Sequence, residues 1–294
     1  MNKPQDRIAL LIDAENVSKK YVKLIMDELS EYGVVTHKRV YGDFTNGSVL
    51  SWKENLAQYA MTPVFQFNST KGKNASDSAM IIDAMDILYS GNVDGFCIVT
   101  SDSDFTKLVL RLRESGMTVI GMGERKTPNA FVSACETFKF LDILLNDENP
   151  SQNPSLPQTR KESEADGSRK EAEKESDPNA VSNIPNMEEM EKEIISIINT
   201  HADDDGWVDL SELGDNLPKR VPGFDPRNYK CTKLKQFIEM FDSVEVRSAR
   251  NPHNKILSII YVRVKQKEEK PVLSKVRRGG KQKKNAAVVV TGME

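Results

Sequence analysis

Residues 7–16, RIALLIDAEN, run from Arg7 through five apolar residues and stop at Asp13. An apolar run without alternation reads as a strand buried on both faces, which is the habit of parallel sheets covered by helices. The next segment sets Val17, Tyr21, Leu24, Ile25 and Leu29 at helical spacing and halts at Gly33, so the strand feeds an amphipathic helix. The same alternation recurs with VVTHKRVYGDF (34–44) and a helix around 48–60, then PVFQFN (63–68) and a helix around 76–90. It continues with FCIVT (96–100) and a helix around 104–115, then TVIGMG (118–123) and a helix around 129–136. Five strands with intervening helices predict right-handed crossovers and a parallel sheet in a three-layer α/β/α domain over residues 1–146. FKFLDILL (138–145) is either a sixth strand or a packing arm.

Past residue 146 the composition changes. Residues 147–186 are dominated by Asn, Pro, Ser, Gln, Glu and Lys and bury too little apolar surface to order themselves, which predicts a charged tether that leaves its flanking domains free to reorient. MEEMEKEIISIINTHA (187–202) restores a broad apolar stripe. WVDLSELGDNL (207–217), FDPRNYKCTKLKQFIEMF (224–241) and the strand-like SVEVRSA and KILSIIYVRV follow, the last two joined by a turn with Asn251, Pro252 and Asn254. Helices closed by a β-hairpin predict a small winged-helix module over 187–264. Residues 265–294 form a tail with 9 basic and 3 acidic groups, and this tail alone is basic in a chain of net charge −3.

In an open parallel sheet the carboxyl ends of the strands share one edge, where ligands bind. Asp13 and Asn16 in LLIDAEN, Asp77 and Asp83 in SDSAMIID, and Asp102 and Asp104 in VTSDSDF are therefore candidates to meet there. Two carboxylates about 4 Å apart repel by up to ~4 kcal/mol at an effective dielectric near 20, so a cluster of them implies a cation or a raised pKa. Hard oxygen ligands point to Mg²⁺ or Mn²⁺. Each acid also has an ordinary reading. An Asp before a helix caps its free N–H groups for about 1 kcal/mol, and Ser101, Asp102, Ser103 and Asp104 are all good cap residues. One cap needs one oxygen, however, and two acids one residue apart exceed that need. Asp83 lies six residues after Asp77, about 240° round a helix, so the two do not share a face. STKGKNASD supplies Lys71 and Lys73, suited to a phosphate backbone or simply to solvent.

Other chemistries find less support. Cys97, Cys135 and Cys231 are isolated and read as small hydrophobes, and His37, His201 and His253 pair with no nearby nucleophile. No run approaches the roughly 18 apolar residues of a membrane span, and Asp13 interrupts any signal-like core, so a cytoplasmic protein with no membrane partner is expected.

LLIDAEN, SDSAMIIDAMD, CIVTSDSDF and IGMG, in this order, resemble the NYN-domain proteins, relatives of the PIN-domain nucleases that include the LabA-like group. The resemblance covers roughly residues 5–145. It implies a metal-dependent endoribonuclease with Asp13, Asp77, Asp102 and Asp104 as catalytic and metal-holding residues and Asn16 at a matching position; Asp83 also matches the pattern, and Ser101, Lys71 and Lys73 are further candidates toward RNA. The expected chemistry is in-line hydrolysis of a phosphodiester by water.

Residues 187–264 resemble the OST-HTH or LOTUS domain, with Phe224, Pro226, Tyr229 and Leu234 as its anchors. Many members carry Gly after the Tyr, where this chain has Lys230. Arg227, Lys230, Lys233, Lys235, Arg247 and Arg250 are candidates for nucleic-acid backbone contacts, while the acidic balance of the module leaves protein binding as the alternative. KVRRGGKQKK (275–284) suits sequence-independent attachment to RNA or serves as a solubilising end. The competing function is a non-catalytic RNA-binding or protein-recruiting regulator with a silent site. A dehalogenase-type phosphatase is disfavoured because Asp13 is followed by Ala-Glu-Asn, without a second Asp two residues on, and a TOPRIM site lacks its Glu strand before a DxD.

Overall fold

A computed structural model describes residues 5–44, 50–65, 75–148, 184–250 and 258–265. Lys71, Lys73, most of the expected tether, the turn at Asn251–Asn254 and the basic tail lie outside the described residues.

The first module is a six-stranded, wholly parallel sheet. Along the chain run β1 (Arg7–Asp13), α1 (Val22–Leu29), β2 (Val34–Gly42), α2 (Lys53–Gln58), β3 (Thr62–Phe65), α3 (Ala75–Ser90) and β4 (Gly95–Val99). Then come α4 (Thr106–Glu114), β5 (Thr118–Gly123), α5 (Asn129–Ala134), β6 (Thr137–Phe140) and α6 (Leu141–Glu148). FKFLDILL is thus both a sixth strand and the start of a helix. The strand order β3-β2-β1-β4-β5-β6 reverses direction beside β1. After stepping outward to β3, the chain crosses back through α3 to lay β4 against the other side of β1. Loops diverge at such a reversal and leave a crevice at the carboxyl ends of the two strands.

β1 explains its own composition. Ile8, Leu10 and Ile12 face one core with Leu24, Ile25 and Leu29 of α1, and Ala9 and Leu11 face the other with Met80 and Ala84 of α3. A strand used on both faces has no polar side to show, hence the unbroken apolar run. The IGMG of β5 has a steric reason: a Cβ on Gly121 would sit 2.5 Å from Cys135 Sγ and from Phe138, and one on Gly123 would sit 2.5 Å from the Thr100 carbonyl oxygen. Burial pushes the Cys97 thiol up and that of Cys135 to about 12, so both pack as inert apolar groups.

The second module opens with α7 (Met187–His201), whose start is fixed by a capping box: the Asn186 side chain accepts from the Glu189 N–H, and Glu189 accepts from the Asn186 N–H. β7 (Val208–Asp209), α8 (Leu210–Arg220), a 3-10 turn (Pro226–Tyr229), α9 (Leu234–Ile238), β8 (Val244–Arg250) and β9 (Ser258–Val264) complete it. Its antiparallel sheet has the order β7-β9-β8. Met190, Ile194, Ile197, Ile198, Leu213, Leu217, Phe224, Phe237 and Val262 make an α+β core of its own. After the 3-10 turn Lys230 takes φ +61°, a left-handed conformation that costs a side chain about 1 kcal/mol or more and that glycine adopts freely.

Contacts between folded segments also join the two modules. Arg227 Nη1 and Nη2 donate to the two Glu28 oxygens of α1 at 2.6 and 2.9 Å, while Nε and Nη2 also reach Asp225 at 2.9 and 2.8 Å. Lys139 of β6 donates to Asp225 at 2.6 Å and stands 3.7 Å from Glu28. Glu28 and Asp225 are 7% and 5% exposed, so each carboxylate is buried with its charge answered by two cations. Burial alone would raise the Asp225 carboxyl, but Arg227 and Lys139 hold it down at about 2. Around this clasp the Phe138 N–H donates to the Pro222 carbonyl at 2.6 Å, and Gly223 lies against Phe140 and Val132. A local reading treats residues 28 and 227 as unrelated because 199 positions separate them. A double-mutant cycle on Glu28→Gln and Arg227→Ala, followed by urea unfolding, should give a coupling of about 2 kcal/mol, the range for a shared buried pair; additive effects would mean that the pair does not form.

Candidate metal centre at the β1–β4 crevice

Asp13 ends β1 and is 2% exposed. Its Oδ1 accepts the Glu15 and Asn16 N–H groups at 3.1 and 3.2 Å, the cap expected of an Asp before a helical turn. Its Oδ2 accepts the Asn16 side-chain amide at 2.8 Å and the Thr100 hydroxyl at 2.9 Å. Thr100 follows β4, so this one carboxylate ties the ends of both central strands. Burial raises its pKa, partly offset by the Asn16 and Thr100 hydrogen bonds.

In front of Asp13 the carboxylates of Asp77, Asp102 and Asp104 converge, each offering an oxygen such that all lie within 4.8 Å of one another. Asp77 reaches the crevice from the first turn of α3. Asp102 Oδ1 caps the following 3-10 turn by accepting the Asp104 N–H at 2.9 Å, and Thr100 Oγ1 in turn accepts the Asp102 N–H at 3.1 Å. The cap and the cluster are therefore one structure: a single Asp102 oxygen serves the turn. Burial, then the charges of Asp13, Asp102, Glu15 and Asp104, raise Asp77 to about 6. A site that pushes up its own carboxylate in this way favours a divalent cation, and an all-oxygen donor set fits Mg²⁺ or Mn²⁺.

The remaining sequence candidates fall elsewhere. Asp83 faces the sheet, where it takes hydrogen bonds from Arg39 and the Tyr41 hydroxyl. Ser101 Oγ accepts the Glu124 N–H at 3.0 Å and so braces the loop after β5. Arg227 belongs to the interdomain clasp, and Lys230 sits beside it at the end of the 3-10 turn, away from the acids. Arg247 and Arg263 each stand over the Trp207 ring, at 4.6 and 4.5 Å from its centroid. Two contributors were missed: Thr100, whose only sequence signal is its place at the end of FCIVT, and Glu15, inside DAEN, whose charge acts on Asp77. Asn16, Ser18, Lys19, Glu124 and Lys126 line a cavity of about 430 Å³ beside the crevice.

Residues 7–144 match the family model of the NYN domain, and residues 186–256 match that of the OST-HTH/LOTUS domain. The NYN domain is a PIN-like nuclease fold, and both domains are generally RNA-associated. An uncharacterised protein of Methanocaldococcus jannaschii is 30% identical over 131 residues, which are 41% of this chain and 49% of that protein, so the chain spans about half the relative's length. A crystal structure of a Vibrio parahaemolyticus protein of unknown function aligns at TM-score 0.40 and 19% identity, covering 47% of this chain and 94% of that one. A solution structure of residues 175–257 of a Chromobacterium violaceum protein aligns at TM-score 0.22 and 32% identity, covering 26% of this chain and 78% of that one.

Because the folded pKa of Asp77 lies above its unfolded value, the folded state binds the extra proton, and stability falls as pH rises through the window from about 4 to 6. Asp77→Asn removes that loss. In EDTA at pH 7 the variant should melt slightly above the parent, by no more than about 1 kcal/mol once solvent screening is allowed for, and the gap should close toward pH 4. A lower melting temperature for the variant at pH 7 would contradict this account of the crevice.

Proposed function

We propose that the chain is a metal-dependent endoribonuclease whose NYN domain hydrolyses RNA phosphodiester bonds at the β1–β4 crevice. The convergence of Asp77, Asp102 and Asp104 within 4.8 Å at the carboxyl edge of a parallel sheet carries this reading. When bound there, a divalent ion supplies positive charge for the phosphate and an activated water. The protein's own part is to hold and orient. Asp77, Asp102 and Asp104 are the ligands, and Asp13 acts from behind them by fixing Asn16 and Thr100. The cavity beside Asn16, walled by Lys19 and Lys126 together with Glu15 and Glu124, offers room for an adjoining nucleotide. Among the described residues no helix is long and apolar enough to cross a membrane; the RNA substrate of this reading is a cytoplasmic one.

For the second module, one observation favours protein recruitment over RNA contact. Arg227 is committed to Glu28 and Asp225, and Arg247 and Arg263 stand over Trp207, so three of the module's arginines are already engaged. RNA retention then falls to the tail at 265–294 with its 9 basic groups, a segment that past Lys265 lies outside the described residues.

Labelled RNA and DNA oligonucleotides incubated with Mg²⁺, Mn²⁺ or EDTA test the main reading. The parent should cut RNA only with metal, and Asp102→Asn and Asp104→Asn should each lose at least about a hundredfold in rate, the scale of a lost electrostatic group, while unfolding as the parent does in EDTA. Full activity in both variants would sink the assignment. Deleting 265–294 should weaken RNA binding alike for all sequences and flatten its salt dependence by about 0.7 per lost phosphate contact; an unchanged slope would move RNA binding to the described modules.

A further inference from the structure

Helix α3 rests on the sheet through Met80, Ala84 and Ile87, and it carries an acid on each flank of that buried stripe. Asp77 lies three residues before Met80 and Asp83 three residues after it. At about 100° per residue the two carboxylates leave the helix about 60° to either side of Met80 and about 9 Å apart along the axis. Asp77 turns toward Asp102 and Asp104, which follow β4, and Asp83 turns the other way, toward β2.

One Asp83 oxygen takes Arg39 Nη1 and the other takes the Tyr41 hydroxyl, so both are engaged on β2 and neither is offered to the crevice. Tyr41 is buried and is joined to β1 as well. It is the register partner of Asp13, and its carbonyl accepts the Ala14 N–H at 2.9 Å. Through one tyrosine, the helix that carries Asp77 is tied to the turn that follows Asp13.

The apolar stripe does not by itself fix how α3 rolls on the sheet. Burial of Met80, Ala84 and Ile87 is non-directional, whereas a hydrogen bond holds an angle. Like charge on Asp13, Asp102, Glu15 and Asp104 presses on Asp77 and, without a cation, works to lift that flank from the crevice. A carboxylate about 6 Å from the helix axis moves by about 1 Å for a roll of about 10°. That is large against the near-ideal octahedral bonds of about 2.1 Å that Mg²⁺ demands.

We infer that Asp83 is a positioning residue: its bonds to Arg39 and Tyr41 fix the roll of α3 and so hold Asp77 where it can share a metal ion with Asp102 and Asp104. The inference rests on the crevice as a metal site and not on whether that metal cleaves RNA.

Mn²⁺ binding by the full chain, followed through the electron paramagnetic resonance of the free ion well below the melting temperature, tests it. Asp83→Ala should weaken binding by about tenfold or more, the range for losing an outer support of a metal ligand. Tyr41→Phe should weaken it to a smaller extent; it keeps the ring in the core and removes only the hydroxyl, so it reports on the tie if Asp83→Ala folds poorly. Ile87→Ala is the control for a merely structural role. It opens a cavity under the same helix and lowers the melting temperature, yet it should bind Mn²⁺ as the parent does. Unchanged affinity in both Asp83→Ala and Tyr41→Phe overturns the proposal and leaves the metal site standing, as does a loss that tracks the melting temperature across all three variants. A parent that binds no Mn²⁺ overturns the metal site and this inference together.

Discussion

A carboxylate that is 2% exposed must have its charge answered, and the crevice is organised around how Asp13 meets that demand. Four donors converge on it: two N–H groups of the turn after β1, the Asn16 amide and the Thr100 hydroxyl. None is a cation, so Asp13, behind a front row of acids, is answered by dipoles alone, and after burial it is the foremost influence on Asp77. Because Thr100 also accepts the Asp102 N–H, the position of the front row is set through hydrogen bonds from the residue behind it. Geometry and electrostatics thus have one origin, the reversal of strand order that places the ends of β1 and β4 side by side.

Much of this was legible in the sequence, for reasons that can be named. β1 announces a two-faced strand because parallel sheets give a strand no polar side, and Asp13, Asp102 and Asp104 stand where apolar runs stop. The separation of Asp83 from Asp77 follows from helical arithmetic alone, and the structure supplies its partners, Arg39 and Tyr41. The competing readings of Asp102, as cap or as site residue, dissolve because a carboxylate has two oxygens and the cap uses one.

What stayed hidden was long-range pairing of charge. Arg227 reads as a phosphate contact because an arginine in a loop carries no mark of its partner, and nothing in the sequence singles out Glu28. The four-group clasp that buries them exists only once β6 and α1 stand next to each other. The tether is a related case. Its composition says how a segment behaves between two anchors and nothing about whether the anchors bind one another.

The clasp bears on how such a chain can vary over time. Glu28, Lys139, Asp225 and Arg227 share their charges, so replacing any one leaves the buried cluster with one charge out of balance, a penalty of several kcal/mol. Neutral drift at these positions is closed to single steps and open to compensated ones, such as exchanging a pair for apolar residues of like volume. The two modules are therefore expected to be inherited as a matched set: grafting the second onto an unrelated first would bring Asp225 and Arg227 without their counterparts.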